Sequence, residues 1–147
     1  MDALNGDRGQ ALVLAVIALA VAAVTIVGLR AGQDRILSDV RDRRAGEAAV
    51  EAAGAAVADA QLELISSLRD ELGGHRTSLT RSELDAFVAD PLLAERAGAA
   101  AATFAEANGG SAVRDLAVSV GDRTIEIALT TGAHRHRVAI EASCCPR

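Results

Sequence analysis

From Ala11 to Leu29 every position is apolar except Thr25, which makes nineteen residues without a charge. A helix is the form that satisfies such a backbone internally. At about 1.5 Å per residue it reaches roughly 28 Å, close to the hydrocarbon thickness of a bilayer. Charges bracket the stretch, with Asp7 and Arg8 before it and Arg30, Asp34 and Arg35 after it. A core helix of a soluble domain carries a polar face, so the stretch reads as one membrane span. A secretory signal would have a basic leader, a shorter apolar core and a small-residue cleavage site. Here the leader Met1–Arg8 holds more acid than base, and no such site follows Leu29.

Past the span the helical pattern continues. Between Gln33 and Leu72 there is no proline. Ile36, Val40, Val50, Val57, Leu64 and Leu68 recur at helical spacing with alanines between them, while Glu47, Glu51, Asp59, Glu63 and Asp70 fall largely on another face. Gly73-Gly74 reads as the C-cap. Thr80-Arg-Ser-Glu83 is a capping box opening a short helix, and Asp90-Pro91 pairs an N-cap with a proline at the first helical position of another, which ends at Asn108-Gly109-Gly110. From Ser111 the period changes to two. Leu116, Val118 and Val120, then Ile125, Ile127 and Leu129, then Val138 and Ile140 alternate with smaller or polar residues, separated by turns at Gly121-Asp122-Arg123 and Thr131-Gly132-Ala133.

The pattern therefore predicts an α+β chain. A polar leader covers 1–9, a transmembrane helix 10–30, an amphipathic Ala-rich extension 31–72, and a small domain 73–147 holds two short helices and a three-stranded antiparallel meander. Such a sheet needs a cover on its apolar face, and the long helix is the expected cover.

Composition sharpens this. Half of the 147 residues are hydrophobic, but nearly half of those are alanine, and Phe87 and Phe104 are the only aromatics. The domain must rely on close helix contact more than on bulky side chains. Ala45–Ala60 consists almost wholly of small residues, which let helix backbones approach, and Gly28-x-x-x-Gly32 repeats the theme. Every basic residue is arginine and the net charge is −5. With no basic face and almost no aromatics, nucleic-acid binding is not expected. Five arginines between Arg30 and Arg44, against Arg8 alone on the other side, would by themselves place the C-terminal side in the cytoplasm.

The sequence holds no serine in a Gly-x-Ser-x-Gly setting and no lysine for a phosphate loop, so neither an enzyme nor a cofactor site is expected. His134 and His136 share one face of the last strand with Cys144 and Cys145 not far beyond. A metal site there is the sharp reading, and a solvated, arginine-interleaved strand start is the bland and favoured one. Cys144 and Cys145 are disulfide material in an exported domain or free thiols; adjacent cysteines close only a strained ring, so a bond to another subunit is also open. His75 beside Gly73-Gly74 reads as a loop residue.

A short leader ending in Arg8-Gly9-Gln10 that runs straight into an apolar helix, and on into an Ala/Asp/Glu-bearing segment, resembles the TadE/TadG-like proteins of the tight-adherence (Flp-type) pilus system, relatives of type IV pilins. The resemblance covers about residues 7–60. It implies prepilin-type processing after Gly9, with Gln10 as the first mature residue. Leu14 stands where that wider family commonly carries a glutamate, and TadG-like members often lack it. The resemblance further implies a structural subunit with its leader in the cytoplasm and its domain outside, opposite to the arginine count. Its partners would be the membrane and other pilin-like or assembly subunits met through the Ala-rich helix, with homo-oligomers open. The alternative is a single-pass membrane-anchored extracytoplasmic binding or sensor domain.

Overall fold

The computed structural model describes residues 3–71, 74 and 78–144, with side chains from Leu12 onward. The order of elements is α1 (Ala3–Glu71), α2 (Arg81–Val88), α3 (Pro91–Ala107), β1 (Val113–Val120), β2 (Thr124–Thr131) and β3 (His134–Glu141). The expected α+β class, with one long N-terminal helix, two further helices and an antiparallel meander, is what the chain adopts. The helix begins at Ala3, inside the stretch expected as a leader, because nothing in Ala3–Gln10 breaks a helix more strongly than single glycines do. The chain divides into two units, Met1–Ser38 and Asp39–Arg147.

In the first unit α1 is the sole element, and its large apolar side chains are bare. In the second, each boundary has its local cause. Gly74, at φ +94°, closes α1 by donating its N–H to the Arg69 carbonyl, as a left-handed C-terminal glycine does. Gly73 and His75 lie outside the described residues. Thr80 and Glu83 complete the capping box of α2, with the Thr80 N–H 2.8 Å from Glu83 Oε2. Asp90 caps α3 by accepting the Leu92 N–H at 2.9 Å, with Pro91 at the first helical position.

The sheet runs β1-β2-β3, antiparallel throughout. Gly132, at φ +57°, is the first of two residues linking β2 and β3, the position where a type II′ hairpin turn needs glycine. In β1 the register slips between Arg114 and Ala117, and Asp115 sits at φ +52°. This bulge absorbs one residue, so that Val113 and Leu116 turn toward the same face although three positions apart.

The apolar face of the sheet is buried. Ile125, Ile127 and Leu129 are wholly inaccessible and cluster with Ala49, Val50, Ala53, Val57 and Ile65 of α1 and with Leu93, Ala97, Ala101 and Ala105 of α3. α1 covers the sheet, as expected, but shares that cover with α3. Gly54 lets the helix approach Val138 and Ile140, and the last turn after α3 brings Gly110 against Ala45. Buried alanines of both helices line this cluster, the economy expected of a core poor in aromatics. Arg96 of α3 bridges to Glu63 of α1 through two hydrogen bonds, 2.7 and 2.9 Å. That pair lowers the pKa of Glu63 and raises that of Arg96, through the hydrogen bonds first and charge second.

One core group is mismatched. Gln61 is 3% exposed, and its Nε2 finds no hydrogen-bond partner among the described residues. Leaving a buried donor unpaired costs about 1–3 kcal/mol. Gln61→Met keeps the shape and removes the donor, and a thermal melt of the detergent-solubilised chain should show stabilisation of about 1 kcal/mol or more; an unchanged or lower midpoint would refute the mismatch.

Candidate functional site

Two regions concentrate chemistry. The first is the surface of α1 in the first unit. Leu12, Leu14, Ile17, Leu19, Val24 and Leu29 are each more than half exposed, and an 18-residue window here has a mean hydropathy of 3.0 with none of it buried. An uncovered apolar cylinder of this length would be strongly unfavourable in water. This one helix is long and apolar enough to cross a membrane. Gly9 and Gln10, the expected processing position, fall within the helical backbone of α1, and their side chains lie outside the described residues.

The second region is the polar end of the sheet-helix packing. Along the inward face of β2 and β3 the apolar rows stop at Leu129, and the next inward positions are Thr131, His134 and His136. They meet Asp39, Asp42 and Gly46 of α1. Thr131 Oγ1 donates to the Asp42 carbonyl at 3.1 Å and lies 3.1 Å from His136 Nε2. With the hydroxyl proton given to Asp42, the imidazole must donate at Nε2. The Asp42 carboxylate accepts the Ser111 N–H at 2.7 Å. Ser111, through its side chain and then its backbone, holds that carboxyl below its ordinary pKa against a smaller opposing effect of burial, with His134 adding to the lowering. His134 Nε2 reaches Asp39 Oδ1 at 2.8 Å. Gly46 is obligatory here, since a Cβ on it would run into His136 and Thr131.

His136 is 9% exposed. The favoured expectation of a solvated strand start therefore holds for Arg135 and Arg137, which are exposed, and fails for His136. The inward phase of β3 carries that ring beneath α1. Burial is the largest effect on its pKa and pushes it down; Glu47 pulls it up, while His134 and Arg43 push it down further. The sign of the consequence is fixed. On acidification the unfolded chain takes up this proton first, near the ordinary 6.5, so the stability His136 contributes is full above that pH and declines below it. Asp42 acts in a separate window, being lost only below the ordinary carboxylate range. A stability profile between pH 7 and 5 should fall for the parent chain, and His136→Gln should flatten it; an equally steep slope in the variant would exclude His136 as the source.

Beside these groups an open groove of about 490 Å³ runs along β3, walled by Arg43, Glu47, Val50 and Glu51 of α1 and by residues 134–138. The rings of His134 and His136 are 6.3 Å apart, each engaged as described. Among the described residues no group of three or more His, Cys, Asp or Glu is placed to hold a metal ion.

Two further expectations are placed by the structure. Cys144 is disulfide-bonded, and Cys145 lies outside the described residues. The small-residue face of Ala45–Ala60 is not open to neighbours over its inner half. Ala45, Ala49, Ala53 and Val57 are fully buried by the chain's own sheet and α3. The Asp39–His134 and Asp42–Thr131 links were invisible in sequence, because they join positions about ninety residues apart that no motif connects. The single cue was the break in the apolar alternation after Leu129.

No family model, curated protein or solved structure matches this chain.

Proposed function

We propose that this chain is a pilin-like structural subunit or assembly component of a pilus or related secretion system, held in the membrane by one N-terminal helix. Its leader is cytoplasmic and its α+β unit extracytoplasmic. The observation that carries the reading is α1 itself. One unbroken helix of 69 residues has an N-terminal part that is apolar and bare and a C-terminal part that forms the floor of a small antiparallel sheet. A chain with that division of labour is stored in lipid by one half of a rod while the other half presents a folded head. With the inner alanine face occupied by its own sheet, neighbouring subunits meet the helix elsewhere. Gly9 is the processing position.

A second reading, an anchored binding or sensor domain without an assembly role, draws on the groove beside β3 and its mixed Arg, Glu and His walls. The intact mass of the protein extracted from membranes separates the two. Loss of residues 1–9 supports the pilin-type subunit, whereas a membrane-integral chain with an uncut start supports the anchored domain. A chain freely soluble after lysis would overturn both.

A further inference from the structure

We infer that the free edge of β3 takes an extended acidic segment of a partner protein as a fourth, antiparallel strand, with two acidic side chains set opposite Arg135 and Arg137. This surface lies wholly within the second unit, so it serves an assembly subunit and an anchored binding domain alike.

The two edges of the sheet differ. β1 carries the bulge at Asp115, a device that twists an edge away from further pairing. β3 is regular: all eight of its residues pair with β2 in unbroken register, and none is proline. The two-residue turn makes Thr131 and His134 a hydrogen-bonded pair. His136 and Val138 therefore spend their backbone groups on β2, while Arg135, Arg137 and Ala139 turn theirs outward. Among the described residues no hydrogen bond from outside the sheet reaches those outward groups. The chain itself engages the strand past its end, where the Leu79 N–H donates to the Ser143 carbonyl at 2.8 Å.

Side-chain chemistry says what the edge would take. Arg135 and Arg137 alternate with the buried His136, so both lie on the solvent face; both are exposed. Their partners across on β2 are Thr130 and Ala128, so neither faces an acid, and neither forms an ion pair among the described residues. An antiparallel strand on the free edge sets alternate residues directly opposite these two, where acids gain paired charge on top of the ladder hydrogen bonds. The intervening side chains of that strand point the other way, to the groove beside residues 134–138. There Glu47 is held by Arg43 at 3.3 Å, and Val50 and Val138 line the wall. Val138 is half-buried although its partner Ile127 is fully buried, so an apolar residue in the added strand completes its cover.

The capped, fluorescently labelled peptide Val-Thr-Val-Glu-Val-Glu-Val tests this by anisotropy against the full-length chain in detergent at low salt. In the antiparallel sense its threonine lies opposite Ala139 and its glutamates opposite Arg137 and Arg135. It should bind saturably, and N-methylation at both glutamates, which removes the two donors facing β3, should abolish binding. The double variant Arg135→Glu with Arg137→Glu should keep the parent's melting midpoint, since both positions are exposed. It should bind the peptide about tenfold more weakly and should instead take the version with lysine in place of glutamate. No saturable binding, equal binding of the N-methylated peptide, or an unchanged preference in the double variant would each overturn the inference. So would a dimer of the parent chain that the peptide cannot dissociate, which would assign the edge to a second copy.

Discussion

Placing arginine at both Ile17 and Val21 should expel the chain from the bilayer. The two positions are one turn apart near the middle of the bare apolar stretch, with exposures of 53% and 60%. An arginine at the centre of a span costs about 2.5–3.5 kcal/mol on insertion scales, so the pair approaches 6 kcal/mol. The nearest acids in sequence, Asp7 and Asp34, are ten or more positions away and cannot compensate. Alkaline carbonate washing of membranes should release the double variant or find it degraded, while Ile17→Leu with Val21→Leu stays in the pellet. A double-arginine chain that remains carbonate-resistant would show that this surface does not face hydrocarbon.

The second large effect is expected from one methyl group at Gly46. A Cβ there collides with the His136 ring and the Thr131 hydroxyl, and both are tied into the hydrogen-bonded chain that ends on the Asp42 carbonyl. Neither can give way without breaking that chain or lifting β2 and β3 from α1. Overpacking and the orphaned polar groups together should cost Gly46→Ala about 3 kcal/mol, read as a fall in melting midpoint of roughly 10–20 °C. Gly28→Ala and Gly32→Ala are the controls, because a Cβ at either meets nothing within 4 Å and should strengthen the helix slightly. Removing the obstacle should help: His136→Ala in the Gly46→Ala background should recover part of the loss. If Gly46→Ala melts with the parent, the close approach of helix and sheet at this point is wrong.

Much of the fold was legible because its signals are local. The helix of α1 follows from absent prolines and abundant alanine, α2 and α3 from Thr80 with Glu83 and Asp90 with Pro91, and the strands from strict alternation around Ile125, Ile127 and Leu129. What was not legible depends on tertiary partners. Composition marks Ala45–Ala60 as a packing surface but is silent on whether it packs on another chain or on its own sheet, and the structure uses its inner half internally. His136 reads as solvated from its arginine neighbours, and only the pairing of β3 with β2 turns the ring inward opposite Leu129. Asp115 belongs to neither pattern, since a bulge is decided by two strands together. The exposed apolar helix was plain in sequence, and the polar end of the sheet could not be.

The buried alanines of α1 and α3 have a thermodynamic consequence. A methyl group has no torsion to freeze, so ordering Ala49, Ala53, Ala97, Ala101 and Ala105 forfeits no side-chain freedom. It also withdraws little greasy surface from water, and the heat-capacity step on melting scales with that surface. The head of this molecule should therefore lose stability gently across temperature.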